Sequence, residues 1–348
     1  MRLTSRAMAT MSFVASCIAA LPAGAQWWNP QSPIAPGKWE AESRTFVYTR
    51  NIYSSAVQVI IAAVQQGDFA KLDRMHDEFL KMTQAGGNGS RMINAFQEAL
   101  STFGKDHLER QQAFLKAWHA GAPTSKLWPA AQAQMWFSAA WDERGGGFAS
   151  EVSPEAMRLF GQDLERASQA LQEGGDAARQ SPLWYAVAIA VAGSRGEGSR
   201  SLDALFEEGV KRFPHFTLQY NARLIYLLPQ WGGSYDRADA FIRRAVMDTQ
   251  ADDGTWMYAD LYASAGRMVQ GDFFRDTRAS WPLMRHAFED ASARGLANPN
   301  TYATYACMAR DRETTRRLLG ELGTYANLGM GRDTFTTESC RAMVEEGK

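Results

Sequence analysis

PLWYAVAIAVAGSRGEGSRSLDALFEEGVKRFP (Pro182–Pro214) and FTLQYNARLIYLLPQWGGSYDRADAFIRRAV (Phe216–Val246) carry the same pattern of apolar residues. The pattern recurs at a constant offset of 36 positions, in the pairs Leu202 and Ala238, Leu205 and Phe241, Phe206 and Ile242, Gly209 and Ala245, and Val210 and Val246. Steps of three, one, three and one positions put these residues on one face of an α-helix. A second matching series precedes the first, with Trp184, Ala188, Ile189 and Val191 answered by Tyr220, Leu224, Ile225 and Leu227. Each stretch is therefore predicted to form a hairpin of two helices.

A single hairpin of this kind cannot cover its own apolar face. Neighbouring hairpins must stack and share a core, as they do in solenoid proteins. Helix signals continue outside the two stretches, since Asp68 and Ser153 are suited to begin helices and the glycines at 145–147 interrupt them. Alternating β patterns are not sustained anywhere in the chain. The sequence therefore predicts an all-α fold, a solenoid of stacked helical hairpins.

The N-terminus has the pattern of a secretion signal. Arg2 and Arg6 precede an apolar run from Ala7 to Leu21, which is followed by small residues up to Ala25. A transmembrane anchor is the alternative, but an apolar run of about 15 residues is shorter than the ~20 residues that span a bilayer. We expect a signal peptide at 1–25, an extended leader at 26–44 and a helical-repeat domain at 45–348, with no transmembrane anchor in the mature chain.

The cysteines also indicate where in the cell the protein is found. The segment before Cys17 also fits a lipoprotein processing site, so a lipoprotein is a minor alternative to a cleaved periplasmic or secreted protein. Cys307 and Cys340 would remain in the mature chain, and an even pair in an oxidising compartment favours a disulfide. Two buried thiols without a bond are the other interpretation.

Composition and charge narrow the range of functions. The chain has 348 residues, 45% of them hydrophobic, which is enough to bury a large core. A formal net charge of -1 gives no electrostatic reason to expect a nucleic-acid partner. The five histidines are scattered without the spacing of zinc ligands, and no phosphate-binding loop is present. We therefore expect no metal and no cofactor.

Three short segments carry a resemblance to a known family, namely Gly67-Asp68-Phe69, Ala140-Trp141-Asp142-Glu143-Arg144-Gly145 and Tyr226-Leu227-Leu228-Pro229-Gln230-Trp231-Gly232-Gly233-Ser234. Over roughly residues 55 to 250 the chain resembles the uncharacterised bacterial family called domain of unknown function 4034, which has tetratricopeptide-like helical hairpins. The resemblance implies a tetratricopeptide-like fold. It implies no activity.

Two groups of residues are candidates for binding. Trp231 and Tyr235 would form an aromatic wall for a ligand in a concave groove, because such side chains combine contact area with a polar tip. The mechanical interpretation is the favoured one, in which Trp231 fills a gap between hairpins and Ser234 caps the next helix. Trp141, Glu143 and Arg144 form the second group, at a helix end, where a structural carboxylate–arginine pair is the alternative to a functional role.

The architecture suggests a role in binding. Solenoids offer extended concave surfaces, so the sequence predicts an exported protein that binds a peptide or protein partner in a groove, without catalysis. The alternative is an envelope enzyme that acts on glycans through two carboxyl groups roughly 5 to 10 Å apart. A third interpretation is a structural or inhibitory envelope protein.

Overall fold

The computed structural model describes residues 56–84, 89–103, 108–269, 271–294, 296–329 and 335–346. The predicted signal peptide, the predicted leader and Cys17 lie outside these residues. Within the described ranges the chain is helical and contains no strand, so the all-α prediction is confirmed for them. No described helix combines the length and the apolar character needed to cross a membrane.

Seventeen helices lie in the described part of the chain: α1 (56–66), α2 (Phe69–Gln84), α3 (Gly89–Phe103), α4 (Leu108–Gly121), α5 (Trp128–Arg144), α6 (Pro154–Glu173), α7 (Gly175–Ala178), α8 (Pro182–Ser194), α9 (Ser199–Arg212), α10 (Thr217–Ile225), α11 (Tyr235–Asp253), α12 (Trp256–Gly266), α13 (Phe273–Asp276), α14 (Trp281–Ala293), α15 (Pro299–Met308), α16 (Arg312–Leu322) and α17 (Thr337–Glu345). Single turns of 3-10 helix add Ala149–Glu151, Pro229–Trp231 and Gly323–Tyr325.

Side chains at the helix starts explain where several helices begin. Ser153 accepts a hydrogen bond from the backbone N–H of Ala156, and Pro154 occupies the first turn of α6. Ser234 accepts from the N–H of Arg237 and so caps α11. Each cap satisfies a backbone donor that has no partner within its helix.

The described helices belong to two compact units, divided within α10 between residues 222 and 223. In the first unit α5 lies at the centre and packs against α3, α4, α6, α7 and α8. The helix α8 also packs against α3, α6 and α9, and α2 pairs with α3. The ends of α5 and the start of α8 are thereby fixed from several sides.

The second unit has a simpler order. The helix α11 packs on α12, α12 on α14, α14 on α15, and α15 on α16, while α17 lies against both α15 and α16. Apart from the short α13, packing partners follow one another along the chain. Cys307 of α15 and Cys340 of α17 form a disulfide, with their Cα atoms 5.7 Å apart.

The helices differ in how much of their circumference is covered. Almost every side chain of α8, α12 and α15 is buried, whereas α9, α11 and α16 have one buried stripe and one exposed charged face. A helix that is apolar all round belongs in the interior of a domain. In the second unit α12 and α15 are covered on both sides, in part by α13, whose buried Phe273 contacts the rings of Tyr262 and Tyr305.

The 36-residue spacing of buried residues extends further along the chain than the two stretches from which it was predicted. Trp184, Tyr220 and Trp256 are each buried near the start of a first helix and lie 36 positions apart. The second helices continue the register after an insertion of ten residues that contains α13, with Met284, Phe288 and Ala291 following Ala238, Ile242 and Ala245.

Candidate functional site

The densest group of polar side chains in the first unit surrounds α2. We call it the α2 cluster, and it consists of Asp73, His76, Asp77, Ser125, Lys126 and Ser181. Three of these residues come from one face of α2, because positions three and four apart are neighbours on a helix. The other three come from the segments that precede α5 and α8.

His76 lies at the centre of the cluster. Its Nε2 is 2.9 Å from the Ser181 hydroxyl oxygen, and its Nδ1 is 3.3 Å from a carboxylate oxygen of Asp77. The tautomer with its proton on Nδ1 fits both contacts, since the ring then donates to Asp77 and accepts from Ser181. Burial lowers the pKa of His76 to about 4 and outweighs Asp77, which would raise that pKa. The imidazole is therefore neutral at pH 7.

The two carboxyl groups of the cluster are shifted in opposite directions. Burial would raise the pKa of Asp77, but hydrogen bonds from Lys126 and His76 outweigh burial and lower it. The Lys126 ammonium donates to both oxygens of Asp77, at 2.9 and 3.1 Å. Burial raises the pKa of Asp73, although the Ser125 hydroxyl donates to it at 2.9 Å. Acid–base pairs in enzymes also consist of two carboxyl groups whose pKa values are shifted in opposite directions.

Ser181, His76 and Asp77 are connected as the residues of a serine hydrolase catalytic triad are, from hydroxyl to imidazole to carboxylate. No sequence motif indicated this contact, because Ser181 and His76 lie 105 residues apart. Ser181 and His76 are both 0% exposed, however, so a substrate carbonyl has no route to the hydroxyl. A histidine with a pKa of about 4 is also a weak base at neutral pH. In this structure the three residues join α2 to the start of α8.

A repeated segment explains how two serines reach the same helix. Ser125–Trp128 and Ser181–Trp184 both read Ser-X-Leu-Trp and lie 56 positions apart. The serine of the first segment bonds to Asp73 and that of the second to His76, three residues further along α2. The segments precede α5 and α8, the two helices at the centre of the unit.

The tryptophans of these segments make equivalent bonds. The Trp128 indole N–H donates to the carbonyl of Leu115 at 2.7 Å, and that of Trp184 to the carbonyl of Leu171 at 3.1 Å. Both acceptors lie 13 residues earlier in the chain. The two buried indole groups are thus satisfied by carbonyls of earlier helices, Leu115 in the middle of α4 and Leu171 near the end of α6.

Trp231 and Tyr235 lie in the second unit, at the turn before α11. Trp231 is half-buried and packs edge-on against Tyr226, with ring centroids 5.5 Å apart. Backbone hydrogen bonds from Gly233 to Leu228 and from Ser234 to Leu227 close the turn. These contacts agree with the mechanical interpretation of the turn. Tyr235 begins α11 and is also half-buried.

Trp141, Glu143 and Arg144 lie at the end of α5, in the first unit. Trp141 is buried, and the Arg144 guanidinium carbon lies 5.0 Å from the centre of its ring. Arg144 donates to the carbonyls of Gly145 and Gly147, both at 3.1 Å. The carboxylate–arginine pair considered for this site is therefore replaced by bonds between arginine and backbone. Glu143 is exposed and has no hydrogen-bonding or ionic partner among the described residues.

The loop that follows presents a residue that the sequence analysis missed. Phe148 is 60% exposed, although its backbone is held on both sides. Its N–H donates to the Glu151 carboxylate at 3.0 Å, and the preceding Gly147 accepts from Arg144. Met157, in the first turn of α6, is also exposed. The sequence did contain an indication of this exposure, because Phe148 directly follows three glycines, which are typical of a loop.

The sequence-predicted residues therefore fall in two groups that lie in different units. We use the name α5–α6 surface for four exposed residues that follow one another along the chain, Asp142 and Glu143 at the end of α5, Phe148 in the loop after it and Met157 in the first turn of α6. No group of three metal-binding side chains occurs within the described ranges. No family model, curated protein or solved structure matches this chain.

Proposed function

We propose that this protein is an exported helical-repeat protein that binds a protein or peptide partner through the α5–α6 surface. The observation that carries the proposal is Phe148, a large apolar side chain in solvent on a turn whose backbone is hydrogen-bonded on both sides. An aromatic side chain on a hydrogen-bonded turn suits an interface anchor, because little backbone entropy is lost on binding.

Charge indicates what kind of partner segment fits. Asp142 and Glu143 are exposed and make no hydrogen bond or ion pair with a described residue. Arg158 is paired with Glu155 at 2.6 Å, whereas Arg144 donates to two neutral carbonyls and keeps its positive charge, so the two carboxylates outnumber the one guanidinium beside them in the sequence. The surface therefore offers negative charge beside an apolar anchor. Its partner should carry Lys or Arg next to an apolar pocket.

The tetratricopeptide-like solenoid belongs to the same proposal. Sequential packing in the second unit supports it, since stacked repeats contact their neighbours along the chain. The helices α12 and α15 are covered on both sides, which leaves little room for a groove along them. We therefore assign partner binding to the α5–α6 surface rather than to a concave groove lined by Trp231 and Tyr235.

Export to an oxidising compartment is supported by the disulfide between two buried cysteines. A signal peptide ending at Ala25 agrees with this compartment, with the lipoprotein at Cys17 as the minor alternative. The likeness to domain of unknown function 4034 stays a prediction based on its three segments.

The glycan-acting enzyme remains the second candidate. The divergent pKa values of Asp73 and Asp77 on one face of α2 favour it, because such enzymes use one protonated and one ionised carboxyl group. Both groups already accept hydrogen bonds, from Ser125 and Lys126. We rank this function below partner binding for that reason. The inhibitory role has no observation of its own.

A comparison of three variants tests the proposal. Full-length tagged protein is used to capture envelope proteins, with quantification by mass spectrometry. The amount of the captured partner protein should fall at least tenfold with Phe148→Ser and with Glu143→Lys. Each variant removes one part of the proposed recognition, the apolar anchor or the negative charge. Met247→Ser is the matched control, since Met247 is 59% exposed and lies in the other unit. A companion that all three variants retain equally, or no companion, would contradict the proposal.

A further inference from the structure

The terminal helix α17 is poorly held by packing. It has nine residues, of which only Thr337, Cys340 and Val344 are buried. A helix of this length does not persist in water by itself. Its place against α15 and α16 therefore depends on the few bonds that link it to the rest of the second unit.

The hydrogen bonds that hold α17 lie mostly at its rim. Arg316 donates to the carbonyl of Val344, and Arg341 donates to the carbonyl of Gly323, with both guanidinium groups on exposed residues. Thr337 is the exception, because its buried hydroxyl accepts from the N–H of Leu328. The Thr337 hydroxyl also donates to the carbonyl of Ala326 at 3.4 Å. Exposed hydrogen bonds contribute little to the free energy that keeps α17 docked, because water can replace either partner.

The disulfide is the covalent link and lies in the interior. Cys307 is 3% exposed and Cys340 is 0% exposed, and the bond closes a loop with a sequence separation of 33. A crosslink over such a loop favours the docked state mainly by restricting the undocked chain. The exposed face of α17 carries Glu338, Arg341 and Glu345.

We propose that the docking of α17 on α15 and α16 requires the Cys307–Cys340 bond, and that reduction releases this helix while the other helices of the second unit stay folded. The reductant is a dithiol, such as a dithiol oxidoreductase. One of its thiolates attacks a chain sulfur and the S–S bond breaks. The chain gains two electrons and two protons to give two thiols, and the dithiol becomes a disulfide. Both sulfurs are buried, so attack must follow fraying of α17.

Hydrogen exchange followed by mass spectrometry tests this inference on the full chain, before and after treatment with a dithiol. Peptides from α17 should lose protection by roughly 100-fold, while peptides from α12 and α14 keep theirs. The variant Cys340→Ala should reproduce the reduced pattern without a reductant. Because this variant could fail to fold, a chain ending at Thr336 provides a second comparison, and its α12 and α14 should be protected as in the oxidised chain.

Two results would overturn the inference. One is unchanged protection of α17 after complete reduction, which would mean that packing alone holds it. The other is joint loss of protection in α12, α14 and α17, which would mean that the bond supports the whole unit rather than one helix. Neither result depends on whether the α5–α6 surface binds a partner.

Discussion

His76 is a buried histidine that folding keeps neutral. Its ring nitrogens contact Ser181 and Asp77, and no water-exposed path reaches the ring, which is 0% exposed. Burial lowers its pKa to about 4, against 6.5 for an ordinary histidine. When the pH falls below 6.5, the unfolded chain therefore binds a proton that the folded chain rejects. The contribution of the neutral ring to the free energy of unfolding is fully present above pH 6.5 and decreases as the pH falls from 6.5 to 4.

The free energy of unfolding should therefore fall by up to about 3 kcal/mol between pH 6.5 and pH 4 through His76 alone. Urea titrations at closely spaced pH values measure this dependence. In His76→Gln, which keeps a polar amide but cannot titrate, this part of the slope should disappear. His286→Gln, at an exposed position, controls for the loss of a histidine. An identical slope in wild type and His76→Gln would show that another group causes the acid sensitivity.

The contacts of His76 illustrate what could not be predicted at the scale of residues. The histidine and its neighbour Asp77 are adjacent in sequence, but Ser181 lies 105 positions away. Only the packing of α2 near the start of α8 brings them together. The same holds for Asp73 and Ser125, which are 52 positions apart. A chain without matched homologues contains no sign of such pairs, whereas Phe148 beside three glycines could have been noticed.

At the scale of elements, the turn before α11 depends on two glycines for different reasons. Gly232 has φ of +79°, a left-handed conformation that costs other residues energy, but its side-chain position is open. Gly233 is required for lack of space, because a Cβ atom there would overlap the backbone carbonyl of Leu227. A backbone atom in a closed turn cannot move aside easily.

Alanine substitutions separate these two effects. Gly232→Ala should lower the free energy of unfolding by about 1 kcal/mol, the cost of the left-handed conformation. Gly233→Ala should lower it by about 3 kcal/mol, because the turn must distort to relieve the overlap. Gly161→Ala, in open space on α6, is a control that should be neutral or slightly stabilising. Equal losses for Gly232→Ala and Gly233→Ala would mean that the turn is more adaptable than its geometry indicates.

Most of the elements were predictable from local rules. Caps at Ser153 and Ser234 mark the starts of α6 and α11 as expected, since a cap needs only residues within one turn. The three, one, three spacing identified the second helices of the hairpins. The spacing did not reveal that α12 and α15 are covered on both sides, because the covering residues come from the insertion with α13 and from α17. The Ser-X-Leu-Trp repeat was present in the sequence but was overlooked, since its period of 56 differs from 36.

At the scale of the whole molecule, the chain combines two compact units with different packing. The first unit is centred on α5, and the second follows the order of the chain. Helical class was predictable from apolar periodicity, which reflects burial of one face. Function was not, because the α5–α6 surface consists of exposed side chains that no folding requirement explains. The proposed function rests on Phe148, an exposed side chain on a hydrogen-bonded turn.

Site-specific photocrosslinking in cells tests the central claim, that the α5–α6 surface is where a partner binds. Benzoylphenylalanine is introduced at position 148 or, as a control of equal exposure, at position 247. We predict one discrete crosslinked product from position 148, absent at position 247 and abolished when Glu143→Lys is present in the same chain. Discrete products of equal yield from both positions, or no product from position 148, would contradict the account.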